Sequence, residues 1–265
     1  MLPTPSTDHV NFERIYEPAE DSYLLLDTLS SESEKGFLHE RFDATEDARG
    51  NSPSPLVLEI GTGSGVVISF LHANSEVIFG RADVLTAGLD INSYACEATE
   101  KTVDVAEKIQ AQDGKSHGFY LGNTLGDLCS ALRPGMVDVL IFNPPYVPTP
   151  SLPVLPNFEQ RAGELSYEDE SHLLALSYAG GADGMETTDR LLDALPEVLG
   201  DDRGCAYVLL CAQNKPEKVK ERIRKWGSGW HVETVGTSGK KGGWEKLQII
   251  RIWRSIPHNT NNEEP

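Results

Sequence analysis

One stretch constrains the fold of this chain more than any other. Leu56-Val57-Leu58-Glu59-Ile60 is a short apolar run, Gly61-Thr62-Gly63-Ser64-Gly65 follows at once, and Val66 to Leu71 then opens a helix. Apolar run, glycine turn and helix together are one β-turn-α unit. The glycines allow a ligand to approach the backbone and expose the N–H groups at the helix start. A dinucleotide fingerprint needs a small residue three places after Gly63, where Val66 stands, and the lysine and hydroxyl residue of a P-loop are absent. The turn therefore sets a local fold without naming its ligand.

The same unit repeats down the chain. Ala87-Gly88-Leu89-Asp90 ends a second strand and a helix follows from Ser93 to Lys108. Asp90 is placed to accept the two ribose hydroxyls of a nucleoside, or else to cap that helix. His117 to Leu121 reads as a third strand ending at Gly122-Asn123-Thr124, then a short helix over Leu125 to Leu132, then a fourth strand, Val137 to Phe142. The order β-α-β-α-β-α-β predicts an α/β, doubly wound, mostly parallel sheet. Helices over 172–179, 184–199 and 217–226, a strand over 205–211, and a pair over 231–237 and 247–253 joined through Lys240-Lys241-Gly242-Gly243 complete it. The expected fold is a seven-stranded sheet with an antiparallel C-terminal strand pair, in a single domain over 1–265. Outside the core, 1–11 reads as a loose start, about 31–55 as a short helical continuation followed by a surface linker or insertion, 147–171 as a substrate-side loop and 255–265 as a polar tail. A proline-rich loop of that length beside a sheet rim is usually functional.

Asn143-Pro144-Pro145-Tyr146 closes the fourth strand. Neither proline can donate to a ladder and each fixes its own φ, so the strand stops abruptly. Asn143 and Tyr146 are left at the carboxyl-end rim, where open α/β sheets bind ligands. On these residues alone the tetrad is either a ligand site or a tight turn with a satisfied Asn. Tyr16-Glu17-Pro18-Ala19-Glu20-Asp21-Ser22 precedes a helix from Tyr23 to Leu29, with proline and acids where a helix start favours them.

Charge narrows the choice of partner. Lys+Arg number 23 against 41 Asp+Glu, for a formal net charge of -18. Such a chain repels phosphate backbones, and its densest basic stretch, Lys215 to Lys225, is interleaved with Glu217 and Glu221 as on a solvated helix face. Nucleic acid is a poor partner for it; a basic protein surface suits it. Cys96, Cys129, Cys205 and Cys211 show no close pair of the zinc type, and the seven histidines are scattered. The first ten residues lack a signal core, and no run of about eighteen apolar residues predicts a membrane span.

Taken together the motifs resemble a known family. Leu58 to Gly65 resembles motif I of class I S-adenosylmethionine-dependent methyltransferases, whose fold is Rossmann-like, and Asn143 to Tyr146 resembles the NPPY motif of enzymes that methylate planar nitrogen. With Tyr16 to Ser22 and Phe142 to Pro148 added, the chain from about Val10 to Arg254 resembles the HemK-type eukaryotic release-factor glutamine methyltransferases. Those enzymes are the catalytic subunits that modify the Gly-Gly-Gln motif of the translation termination factor.

The resemblance implies roles for particular residues. Glu59, Gly61 and Gly63 line the methionine part of S-adenosyl-L-methionine, Asp90 the ribose, and Tyr16, Ser22 and Asn143 lie near the cofactor, which leaves as S-adenosyl-L-homocysteine. Relatives usually bind the adenine through an Asp after the third strand; here Asn123-Thr124 stands there, with Asp127 a little later. An Asn oxygen still accepts that hydrogen bond, so Asn123 and Thr124 are the expected adenine residues. Asn143 and the carbonyl of Pro144 accept the N–H groups of the substrate amide, Pro145 keeps them rigid, and Tyr146 packs on the amide plane. No metal is expected in this chain. Expected partners are a small zinc-binding activator subunit, forming a heterodimer by strand addition, and a class-1 termination factor, with its GTPase, as substrate. Glu76 to Phe79 and Val84 to Leu89 are candidate contacts for the activator, with a place in the buried core as the competing and favoured reading of each. The expected setting is cytoplasmic, with the nucleus as an alternative. Adenine-N6 methylation of DNA and lysine methylation are the alternative activities, and a non-catalytic scaffold is the alternative of another class.

Overall fold

Every residue of Val139–Phe142 (β4) and of Cys205–Cys211 (β5) is buried, as parallel strands with helices on both faces require. Around them the computed structural model, which describes residues 2–43, 52–153, 167–239 and 246–255, sets Leu56–Ile60 (β1), Leu85–Asp90 (β2), Phe119–Leu125 (β3), Trp230–Thr237 (β6) and Leu247–Arg254 (β7). The seven strands form one sheet in the order β3-β2-β1-β4-β5-β7-β6. The first five are parallel, and β7 runs antiparallel to both β5 and β6. The α/β doubly wound sheet with its antiparallel closing pair is thus what forms. The connection 240–243 lies outside the described residues.

Alternation along the strands splits the core in two. Val57, Val139, Ile141, Tyr207 and Leu209 face one layer, built from Glu20–Leu29 (α1), Glu32–Phe42 (α2), Val66–Ala73 (α3) and Ser75–Phe79 (α4). Leu58, Leu140, Phe142, Val208 and Ile250 face the other, which includes Glu186–Val198 (α7) and Pro216–Ile223 (α8). Ser93–Gln112 (α5) and Tyr167–Tyr178 (α6) are the remaining helices. The chain leaves β1 toward β2 and β3, and resumes at β4 on β1's other side. That reversal is the switch point at which doubly wound sheets open a crevice.

Four expectations change. The helical continuation after α1 runs over the whole of 32–42 and packs on the sheet instead of giving way to a surface linker: Leu38 and Phe42 are fully buried. Its polar residues made it read as surface, but two of them are paired inside. The Glu34 carboxylate accepts from the Tyr207 hydroxyl at 2.8 Å and from Arg251 at 2.7 Å, and Arg41 donates to the carbonyls of Arg203 and Arg254 at 2.7 and 2.6 Å. The start of the chain packs too, since Val10 and Ile15 cluster with Ala98 of α5. The third strand runs on through Gly122 to Leu125, and turns replace the helix expected over 125–132. Finally, Ile78, Phe79, Val84 and Leu89 are at most 1% exposed and β2 is an interior strand, so the two candidate activator contacts are mostly core, with Glu76 and Val77 exposed.

Glu34→Ala leaves the Arg251 guanidinium, stacked 3.8 Å over Phe37, with only the exposed Glu233 as counter-charge. A buried pair broken on one side costs about 3–5 kcal/mol. The expected result is a lower denaturant midpoint at unchanged slope.

Candidate active site

The register of the central strands brings the two motifs together. Ile60 of β1 pairs with Phe142 of β4, so Gly61 and Asn143 follow as neighbours at the carboxyl-end rim; a Cβ on Gly61 would lie 4.0 Å from the Asn143 carbonyl. Gly61, Gly63 and Gly65 hold φ of 69°, 53° and 79°, a region costly for other residues. Gly65 also lies so close to α5 that a Cβ there would sit 2.6 Å from Thr99 Cα.

Two buried carboxylates hold this turn in shape. Asp90, at the end of β2, accepts the Gly63 N–H at 2.9 Å through one oxygen and the Asn92 N–H at 2.8 Å through the other. Glu59 accepts the Ile68 N–H in the first turn of α3 at 2.9 Å. Burial raises the Asp90 pKa against the opposing pull of its N–H donors. Burial lifts Glu59 well above the ordinary 4.5, with nearby Asp90 adding to the rise. Neither carboxylate faces a cation among these contacts. Burial thus disfavours the charged form of both acids, and a cationic ligand beside them would favour it.

Both carboxylates line a cavity of about 210 Å³. Of the expected residues, Tyr16, Ser22, Glu59, Gly61, Gly63, Asp90, Asn143 and Pro145 border it. The Oδ1 of Asn143 is buried there with no hydrogen-bond partner among the described residues. An acceptor so placed is costly unless a ligand donates to it. Buried carboxylates for a cation, a polar rim for hydroxyls and this unused acceptor for an N–H make a donor set that fits S-adenosylmethionine beside an amide.

Pro144, Tyr146, Asn123 and Thr124 are not among the lining residues. Tyr146 is in the core cluster with its hydroxyl 3.4 Å from an Asp21 oxygen, so it backs the tetrad instead of meeting an amide from the cavity. Asn123 is the larger correction. Because β3 continues past Gly122, which takes a φ of 100°, Asn123 falls inside the strand and its Nδ2 donates to the Cys96 carbonyl at 3.2 Å. Its amide fills the space left by Gly88, where a Cβ would collide with Asn123 Oδ1. Gly126, Asp127 and Leu128 reach the cavity in its place, with Asp127 paired to Arg190 of α7 at 2.6 Å.

Several residues that hold the site carried no sequence signal strong enough to single them out. Asp21 accepts from the Ser22 N–H at 2.6 Å and joins the Tyr16–Ser22 stretch to Tyr146. Buried Asn214 donates to the Tyr146 carbonyl at 3.0 Å. Gly180 and Gly184 press against the tetrad: a Cβ on either would sit 2.3 Å from the Pro145 carbonyl or 2.0 Å from that of Tyr146. Their glycines read only as a helix boundary in one dimension. Leu152 and Pro153, in the described part of the 147–171 loop, also reach the cavity; 154–166 lies outside the described residues.

The raised Glu59 pKa has a definite sign. The folded carboxyl keeps its proton to a higher pH than the unfolded one, so its contribution to stability is full below about 4.5 and is lost as pH rises through the folded value. Glu59→Gln is therefore expected to raise the melting temperature of the ligand-free protein at pH 8, with the gain shrinking toward pH 4.5. Affinity for S-adenosylmethionine should fall roughly tenfold to hundredfold, from the about 1.5–3 kcal/mol of a charged hydrogen bond. Thermal melts across pH and calorimetric titration measure the two effects.

No protein-family model matches the chain. Among curated proteins it is 33% identical over 257 residues to the eRF1 methyltransferase catalytic subunit mtq2 of Schizosaccharomyces pombe, covering 96% of each chain. It is 31% identical over 258 residues to Methyltransferase HEMK2 of Homo sapiens, covering 95% of this chain and 97% of that one. Among solved structures, the Mtq2-Trm112 complex of E. cuniculi contains a chain that matches with a TM-score of 0.51 at 23% identity, over 91% of this chain and 99% of that one; that likeness supports the fold. The extent and identity of the curated matches, on a chain whose glycine turn and NPPY tetrad meet at one cavity, show that it belongs to the HEMK2/Mtq2 family of methyltransferases.

Proposed function

We propose that this chain is the catalytic subunit of an S-adenosylmethionine-dependent protein-glutamine N5-methyltransferase. Its substrate is the glutamine of the Gly-Gly-Gln motif of a class-1 translation termination factor, presented with that factor's GTPase partner. The observation that carries the reading is the buried, unpartnered Oδ1 of Asn143 on the wall of a cavity lined by Glu59 and Asp90.

A carboxamide nitrogen is a weak nucleophile because its lone pair is delocalised into the carbonyl. The bound cofactor supplies an electrophilic sulfonium methyl. Asn143 Oδ1, on the cavity wall, accepts one amide N–H and helps to aim the lone pair along the transfer axis, an orientation effect. The second acceptor expected of the tetrad, the Pro144 carbonyl, reaches the amide only if it turns toward the cavity, which Pro144 does not line here. The tetrad is held from behind by Asp21, Asn214 and the two glycines, so the Asn143 acceptor needs little reorganisation. Glu59 meets the positive methionine end, Asp90 the ribose, and Asp127 takes the adenine role expected of Asn123. The nitrogen sheds its extra proton after transfer, so no resident base is required. Its setting is the cytoplasm or nucleus.

The decisive assay offers labelled S-adenosylmethionine with the intact termination factor, its Gln→Ala version and duplex DNA. Label is expected on the intact factor alone; label confined to DNA would reverse the reading. Asn143→Ala should lower turnover by about 10²–10³-fold or more, the scale of a lost transition-state hydrogen-bonding group, while cofactor affinity is kept. Equal loss of both would reduce Asn143 to a cofactor residue.

The small zinc-binding activator subunit docks, in this reading, along the edge strand β3. Phe119, Leu121 and Leu125 are 61%, 60% and 45% exposed there, beside a strand edge that is unpaired among the described residues and suited to strand addition. Leu121→Lys is expected to abolish co-purification with the activator and Val77→Lys to spare it. The opposite outcome moves the interface to the α4 surface.

A further inference from the structure

At the amino-terminal ends of the parallel strands, away from the cavity, the fold gathers three residues that the sequence scatters. His72 lies near the end of α3, Glu107 in α5 and His117 just before β3. One nitrogen of each imidazole and one Glu107 oxygen all lie within 4.8 Å of one another, a grouping of metal-ligand type that stands out among the described residues. We propose that His72, Glu107 and His117 form a binding site for a divalent transition metal of the zinc class, at the base of the edge strand.

The spacing suits the ion. Four-coordinate zinc holds nitrogen and oxygen at about 2.0–2.2 Å, which puts ligand atoms somewhat over 3 Å apart by tetrahedral geometry. His72 Nε2 and the Glu107 oxygen are already 3.0 Å apart, and the two imidazole centroids are 5.1 Å apart. Three protein ligands of this kind leave a fourth position for water.

The surroundings prepare the nitrogens. The Gly118 carbonyl, which can only accept, lies 2.9 Å from His117 Nδ1, so the proton is on Nδ1 and Nε2 keeps its lone pair. His72 is fully buried, and a metal binds the neutral form of an imidazole. Its Nδ1 lies 2.9 Å from the Thr86 hydroxyl, a group that can donate or accept. With no ion, Thr86 donates to Nδ1 and Nε2–H is given to Glu107. With an ion, Nδ1–H is given to Thr86, whose own proton turns to the Phe119 carbonyl 3.5 Å away, and Nε2 coordinates. This outer partner tolerates both tautomers and fixes the ring plane in each.

The consequence is local. His72 and Val84 already anchor the start of β3 through their carbonyls, accepting from Gly118 and Phe119 at 2.9 and 2.8 Å. A metal would tie that strand to α3 and α5 through side chains as well. The strand so fixed is the one that presents Phe119 and Leu121 to solvent.

The test compares wild type with His117→Ala and Glu107→Gln, each purified with its activator subunit because that partner brings zinc of its own. After EDTA treatment and dialysis against limiting Zn²⁺, elemental analysis is expected to find one more zinc per complex in wild type than in His117→Ala. The Glu107→Gln complex should retain less zinc than wild type, and Co²⁺ added to the wild-type chain should give visible d–d bands that are absent from His117→Ala. Melting temperature should rise with Zn²⁺ in wild type and stay unchanged in His117→Ala. Equal melting temperatures in EDTA would exclude a folding defect. Equal zinc content and equal melts with Zn²⁺ in wild type and both variants would overturn the site and leave only a hydrogen-bonded His72–Glu107 pair.

Discussion

Two buried carboxylates, held by backbone N–H groups and in no salt bridge among the described residues, organise the rim of this sheet. Asp90 and Glu59 each hold a backbone N–H of the turn or helix that follows β1, and both are buried. Alone, such groups are unfavourable in their charged form. They persist because the glycine turn can adopt only a shape that N–H donors to them enforce, and because a cationic ligand later supplies the missing charge. The site is therefore assembled before its ligand arrives, at some cost to the empty fold.

The second dependence is on close backbone packing around Asn143. β4 ends at two prolines, and the tetrad is then gripped by a loop that can approach only because Gly180 and Gly184 carry no Cβ. Asn214 and Asp21 complete the grip through single hydrogen bonds. The Asn143 acceptor is thus fixed in place without being satisfied, which is the state from which it can orient a weak nucleophile. Stability and chemistry draw on the same contacts.

Much of this was legible in one dimension. The glycine turn, the acid closing β2 and the proline-terminated β4 each announce their place through local chemistry, and alternation of strand and helix then leaves few topologies. What was missed shares a cause. Asn123 reads as the residue after a short strand, since glycine normally ends one, yet pairing with β2 carries the strand past Gly122 to Leu125. The acidic 32–42 stretch reads as surface because no local pattern reveals that Glu34 meets Tyr207 and Arg251, 173 and 217 residues away.

By itself, then, the sequence determined the class of fold and the rim at which the glycine turn and the proline-closed tetrad meet. These follow from propensities and steric limits acting over a few residues. The tertiary structure decided which acid completes the cavity, what supports the tetrad from behind, and that His72, Glu107 and His117 meet at one point. Those outcomes depend on strand register and on helices crossing over the sheet, and such contacts join residues too far apart for any local pattern to relate them.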